Sequence, residues 1–205
     1  MLNTLSRVFL TGFLAAKPLS CNLSTNPLTA KTIYEFSAKT IDGQEVSLEK
    51  YRLQLSNSYM VAVIQATVYI DHRRTGSIHP TNFCVFINPK LEELYQKYSE
   101  SKGLRILAFP CNQFASQEPG TNEEIKDFVS KKYQVSFDMF SKIDVNGKSA
   151  HPLWIFLKKE QPGFLTDGIK WNLTKFLINK EGVPVKRYGP KTAPKVTLYT
   201  FLFCH

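Results

Sequence analysis

Four thiols are the candidate redox groups of this 205-residue chain: Cys21, Cys84, Cys111 and Cys204. None belongs to a Cys-x-x-Cys pair, and no cysteine–histidine spacing suits a zinc site. Four cysteines in a chain this long do not make a disulfide scaffold either. A thiolate is a nucleophile when its pKa is lowered and hydrogen-bond donors face the charge it carries or creates. Cys84 lies in the apolar run Thr81-Asn82-Phe83-Cys84-Val85-Phe86, and Cys111 in a Pro-Cys-Asn-Gln stretch. An apolar setting raises a thiol pKa, so Cys84 lacks the electropositive surroundings of a reactive cysteine. Side-chain amides and indoles can offer such N–H donors, and Gln113, Trp171 and Asn172 are among those that the chain carries. Each also has an ordinary structural explanation. Gln113 would satisfy the backbone of its own turn, and Trp171 would fill core. His72 is a lone histidine in a loop and reads as surface.

The elements that position these groups follow from hydrophobic period and turn chemistry. Ile33 to Ala38 alternates as a short strand, Asp42-Gly43 makes a hairpin turn, and Glu45 to Leu48 returns. Tyr59 to Ile70 is β-branched and nearly continuously apolar, as a strand buried on both faces would be. Residues 71–86 show no period and read as a long loop. Leu91, Leu94, Tyr95 and Tyr98 recur at helical spacing within Pro89–Lys102, with Gly103 as the stop. Leu104 to Phe109 reads as a buried strand ended by Pro110. Thr121 with Glu124 three residues on forms a capping-box pattern for a helix reaching Tyr133. Phe140 to Val145 reads as extended and turns at Asn146-Gly147, and His151 to Lys159 as a helix opened by Pro152. Lys170 to Ile178 reads as a strand, joined by the turn Asn179–Gly182 to an edge strand, Val183 to Tyr188, that tolerates Pro184. Strands separated by helices, then a hairpin, predict an α/β protein. The expected architecture is a thioredoxin-like fold: a central mixed sheet flanked by helices, with an N-terminal β-hairpin.

The segment Leu107-Ala108-Phe109-Pro110-Cys111-Asn112-Gln113-Phe114, continued by Gln117-Glu118-Pro119-Gly120, resembles the most characteristic signature of the glutathione peroxidases. Ile143-Asp144-Val145-Asn146-Gly147 with His151-Pro152-Leu153-Trp154 is similar to a second family block. Ile169-Lys170-Trp171-Asn172-Leu173-Thr174-Lys175-Phe176-Leu177 is similar to a third, and Ile33–Phe36 and Ile41–Gly43 match the family opening. The resemblance covers Lys31 to Arg52 and Pro89 to Pro194. It implies peroxide reduction by attack of a thiolate or selenolate on an O–O bond. It gives Gln113, Trp171 and Asn172 the role of donors around that nucleophile, and makes Cys111 a buried auxiliary thiol. No prosthetic cofactor is implied; glutathione is the reducing co-substrate, and hydrogen peroxide and lipid hydroperoxides are the substrates. The helix after Gly120 lacks the resolving cysteine of thioredoxin-dependent relatives, and the segment from Trp154 to Trp171 is short, as in the monomeric phospholipid-hydroperoxide branch.

Two stretches depart from that pattern. After the buried strand the family carries Asn-Val-Ala-Ser and then its cysteine or selenocysteine at a helix start; this chain has Asp71-His72-Arg73-Arg74, with Cys84 the one thiol nearby. Lys195 to His205 lacks the family's final amphipathic helix and includes the uncharged apolar run Val196–Phe203. A member that has lost its nucleophile and a chain whose nucleophile exon is replaced in translation both account for these departures. The second function class is therefore a catalytically inactive relative that binds a partner or a membrane surface.

Residues 1–24 hold Arg7 and Lys17 but no acid, around an apolar run too short to span a bilayer. They read as a targeting segment, secretory or mitochondrial, with an uncleaved cytoplasmic N-terminus as the alternative. The expected organisation is that segment, a domain over 25–194 with an atypical stretch at 53–88, and a tail over 195–205. The net charge of +9 suits anions: an acidic thiol tripeptide or lipid headgroups. The lysines are scattered and no nucleic-acid motif is present, so nucleic acid is not an expected partner.

Overall fold

A computed structural model of the chain describes residues 25–54, 61–66 and 87–197. The readings on 1–24, on Cys84 and the 67–86 stretch, and on 198–205 lie outside the described residues.

Two sheets form. The first is the hairpin β1 (Ser37–Lys39) with β2 (Glu45–Ser47), closed at Gly43, whose φ of +80° needs glycine. The second has five strands in the order β5-β4-β3-β6-β7: β3 Val61–Ala66, β4 Arg105–Pro110, β5 Asp138–Met139, β6 Lys175–Ile178 and β7 Pro184–Tyr188. β3, β4 and β5 run parallel, and β6 and β7 are antiparallel to their neighbours. This is the expected mixed sheet.

Alternation along β4 and β6 divides the core into two. Leu107, Phe109, Phe176 and Ile178 face one side, against Trp154, Phe156 and Leu157 of α4 (Pro152–Glu160) and the N-terminal Phe36. Ile106, Ala108 and Leu177 face the other, with Ile64 of β3 and with Leu91 and Leu94 of α2 (Ile87–Tyr98). Both faces being covered explains why β4 is an apolar run rather than an alternating one. A short helix, α1 (Lys50–Gln54), precedes β3. The capping box at Thr121 forms as read, with the Thr121 hydroxyl accepting from Glu124 N–H, and opens α3 (Asn122–Tyr133).

Three readings are corrected. Ile33–Glu35 is a 3₁₀ turn rather than the start of a strand, capped by Glu35 Oε1, which accepts the Thr32 and Lys31 N–H groups. Its reason is tertiary. Ile33 N–H donates to Gly182 O, and the Tyr34 ring lies where a Cβ on Gly182 would come within 2.6 Å. The extended segment from Phe140 pairs only at Phe140, which bridges Thr40, while the strand itself is Asp138–Met139. The strand read over Lys170–Ile178 begins only at Lys175, because Leu173 takes a φ of +66° and the Thr174 hydroxyl donates to Trp171 O in a tight turn. Residues 194–197 are helical: Pro194 stands at the first helical position, and Thr197 N–H donates to Ala193 O at 3.2 Å.

Candidate functional site

Three segments meet at the carboxyl edge of β3, the central strand. β3 lies between β4 and β6, and its last residue, Ala66, is paired with Pro110 at the end of β4. Because β4 is parallel to β3, the residues after Pro110 emerge at this edge. Because β6 is antiparallel, the residues before Lys175 arrive at the same edge from the other side. Carboxyl edges of parallel strands are where open α/β sheets place their chemistry.

The first segment, 111–120, is a compact loop. Asn112 Oδ1 accepts Glu118 N–H at 2.9 Å, and Ala115 and Ser116 both adopt positive φ, 51° and 50°. Non-glycine residues hold that conformation only where surrounding bonds impose it. Lys142 imposes part of it from below: its Nζ donates to the carbonyls of Glu118 and Gly120. Glu118 is fully buried.

Gln113 points from this loop into the second segment, the turn at Asn146-Gly147. Its Oε1 accepts both the Val145 and Asn146 N–H groups at 2.9 Å, and its Nε2 donates to Asn146 O at 2.9 Å. Three bonds to one turn settle the orientation of the amide: the oxygen faces two donors and the nitrogen one acceptor. An amide nitrogen carries two hydrogens. The residue is exposed, and these contacts use both oxygen acceptor sites but only one of the two amide hydrogens. Val145 O in turn accepts from Lys158 Nζ at 2.7 Å.

The third segment carries Trp171 and Asn172. Asn146 holds it: Oδ1 accepts Ile169 N–H at 2.9 Å and Nδ2 donates to Ile169 O at 2.8 Å. Asn172 is fully buried and its Nδ2 donates to Gln117 Oε1 at 2.7 Å. Trp171 lies edge-on to Phe114 with ring centroids 6.2 Å apart, and is 45% exposed. Asn172-Leu173-Thr174 fits the Asn-x-Thr glycosylation pattern, but Asn172 is fully buried and leaves no room for a glycan. Lys175, which opens β6, is buried. Its Nζ donates to Thr192 O at 2.8 Å and Gly189 O at 3.3 Å, and burial lowers its pKa to about 8.

The three expected residues are thus brought to one edge, linked through Phe114, Gln117 and Asn146. Sequence reasoning quoted Asn146 and Gln117 within matching blocks but assigned them no role; membership of those blocks was the available signal. Cys111 is buried beneath the loop, with Sγ 3.8 Å from Gln113 Oε1. Burial pushes its thiol pKa up, against the lowering by the Gln113 and Val145 backbone groups. It is a structural thiol, as expected. Among the described residues no cluster of three or more histidine, cysteine or acidic side chains could hold a metal.

Comparison with known proteins places this arrangement. The chain is 45% identical over 197 residues to the phospholipid hydroperoxide glutathione peroxidase of Callithrix jacchus, covering 94% of this chain and 91% of that protein. This chain belongs to the glutathione peroxidase family. The family profile, "Glutathione peroxidase", matches residues 82–158. A glutathione peroxidase of Schistosoma mansoni is 46% identical over 172 residues, covering 84% of this chain and 92% of its own. Among solved structures, T. cruzi GPX1 superposes with a TM-score of 0.58 at 31% identity, over 84% of this chain and 95% of that one. A thioredoxin-like protein from Aeropyrum pernix, at 16% identity and TM-score 0.52, shares the fold alone. Glutathione peroxidases are oxidoreductases of thioredoxin-like fold, and the edge described here is where this member of the family brings Gln113, Trp171 and Asn172 together.

Proposed function

We propose that this chain is a peroxidase that reduces hydrogen peroxide and lipid hydroperoxides with glutathione, with Gln113, Trp171 and Asn172 as its donor residues. The observation that carries the reading is the locked amide of Gln113, which keeps a second N–H beyond its bonds to the 145–146 turn at the carboxyl edge of β3. A donor fixed before reaction stabilises developing charge without reorganising. In the family pattern the nucleophile follows the strand that β3 matches, and β3 ends at Ala66 on the same edge as Gln113, Trp171 and Asn172. Attack of the nucleophile's chalcogen on the O–O bond takes one oxygen onto the chalcogen and releases the other as an alkoxide or hydroxide that takes up a proton; a first glutathione displaces the bound oxygen as water, and a second releases glutathione disulfide and the reduced nucleophile. No prosthetic group enters this cycle.

The test is turnover of phospholipid hydroperoxide with glutathione. Gln113→Ala should lower kcat/KM by about 10²-fold or more, the usual loss for one donor to developing charge. Equal rates for the native chain and Gln113→Ala would remove the catalytic reading. A non-catalytic relative then takes its place, and Asp71-His72-Arg73-Arg74 at the family's nucleophile position is what favours that second reading. Alkylation separates the two: an active chain holds a low-pKa thiol that hydroperoxide protects from iodoacetamide.

We further place substrate access at a lipid surface, with the chain acting as a monomer. Phe164 and Leu165 are 83% and 84% exposed, on a loop whose carbonyls are held by Lys170 (at Phe164) and Arg187 (at Asp167 and Gly168). Two apolar side chains beside basic residues suit an anionic interface. Phe164→Asp should reduce co-sedimentation with anionic vesicles; unchanged binding would exclude this loop as the contact. Light scattering of the eluted chain checks the monomer. The targeting reading of residues 1–24, secretory or mitochondrial rather than cytoplasmic, predicts a processed mature N-terminus, which N-terminal sequencing from cells would reveal.

A further inference from the structure

We infer that Asn146 is a positioning residue that couples the Gln113 side of the site to the Trp171–Asn172 side. The inference deepens the reading of those residues as donors and rests on it.

Asn146 makes four hydrogen bonds, in two pairs. Its backbone N–H and C=O bond to Gln113 Oε1 and Nε2, both at 2.9 Å. Its side-chain Oδ1 and Nδ2 bond to the N–H and C=O of Ile169, at 2.9 and 2.8 Å. Each pair fixes orientation as well as distance, since rotating either amide breaks one bond or both. The ordinary explanation for asparagine before glycine is the turn itself. Here Gly147, at a φ of +78°, supplies the turn, while the Asn146 side chain reaches a residue 23 positions away. Two residues beyond Ile169 stands Trp171, and Asn172 closes the circuit back to the Gln113 loop through Gln117. The path Gln113, Asn146, Ile169, Trp171–Asn172, Gln117 is therefore a ring. Asn146 binds two other segments through separate groups, its backbone to Gln113 and its side chain to Ile169. Alanine would keep its backbone pair and lose the clamp on Ile169. Aspartate would keep the acceptor and lose the donor.

Fluorescence of the full chain tests this without turnover. The two tryptophans differ: Trp154 is fully buried and Trp171 is 45% exposed, so acrylamide reaches Trp171, and Trp171→Phe assigns its signal. Asn146→Ala should raise quenching of the Trp171 component about twofold, as for a segment freed to open locally, with Asn146→Asp between it and the native chain. Gln113→Ala should raise the same quenching in the native background and add nothing in Asn146→Ala, because the path is already cut. Quenching unchanged by Asn146→Ala, or independent effects of the two substitutions, would overturn the inference. Should Asn146→Ala not fold, Asn146→Asp carries both comparisons. The peroxidase assay keeps the two ideas apart. Native turnover with an inert Trp171 signal refutes the positioning role alone; a responsive signal without turnover supports it and refutes the catalysis alone.

Discussion

At the carboxyl edge of β3 and β4, side chains are committed to backbone groups of distant segments: Gln113 to 145–146, Asn146 to 169, Lys175 to 189 and 192. At the amino edge of the same strands, Tyr95, Gln96, Ser99, Glu100, Gly103, Arg105, Ser136 and Asp138 line an open, polar cavity of about 640 Å³. Large cavities are the usual first guess for a functional site, and here that guess points away from the edge that carries Gln113, Trp171 and Asn172. The amino edge is roomy because a helix ends and two strands begin there, with Glu92 tying them: its carboxylate accepts from Ser136 N–H, Ser136 Oγ and Gln96 Nε2 at 2.9, 2.6 and 2.7 Å. Polar groups there join elements of the scaffold. Those at the carboxyl edge orient other polar groups, which is the organisation that charge stabilisation requires. The comparison predicts that changes at one end alter the site and changes at the other alter stability alone.

Lys175 gives the largest expected effect on stability and belongs to the carboxyl edge. Holding a buried amine at a pKa near 8 instead of 10.5 costs about 3 kcal/mol when it is fully protonated. The sign follows from proton counts. Below pH 8 both states hold the proton and the cost is complete. Between 8 and 10.5 the unfolded chain binds more protons than the folded one, so unfolding free energy rises with pH. Above 10.5 both are neutral and the cost is gone. Relative to Lys175→Met, the native chain should gain about 3 kcal/mol across that window in urea titrations. Parallel curves would show that the amine is not desolvated and would weaken the picture of a closed edge.

Glu92→Ala tests the other end. Losing the acceptor of three bonds should destabilise by about 2 kcal/mol, while the Trp171 quenching and the hydroperoxide rate stay as in the native chain. A fall in rate beyond the unfolded fraction would break the division between the two edges.

That division was only half visible in sequence, for local and tertiary reasons. The helix at Thr121 was legible because its cap lies within three residues, and β4 because its run of apolar side chains needs no partner to be recognised. Ile33–Glu35 was misread because its turn depends on Gly182, and the strand before Lys175 because Leu173 turns only where Asn172 reaches Gln117. Gln113, Trp171 and Asn172 were found through the family blocks, not through any period. Lys175 was invisible: lysine is expected outside, and only two carbonyls from the 189–192 loop show why it is within. Asn146 read as a turn because both its distant partners are set by the fold.

His151 offers the smallest and most local way to probe the carboxyl edge. Its Nδ1 accepts Leu153 N–H at 3.3 Å and caps α4, and its backbone N–H donates to Asp144 O at 2.9 Å, next to the turn that binds Gln113. Burial lowers its pKa below the ordinary 6.5. A protonated Nδ1 cannot accept, so the cap exists only in the neutral form. As pH falls below about 6.5 the unfolded chain takes up a proton that the folded chain resists, and stability declines until the folded-state pKa is passed. His151→Asn keeps an acceptor at the cap and cannot titrate, so it should remove about 1 kcal/mol of the acid-side loss, read from urea midpoints between pH 7.5 and 5. In the native chain the same acidification should raise Trp171 quenching, since the segment that His151 anchors leads through Asp144 and Val145 to Gln113. An acid transition that is identical in His151→Asn would place the sensitive group elsewhere, and one that leaves Trp171 untouched would confine the cap to holding α4.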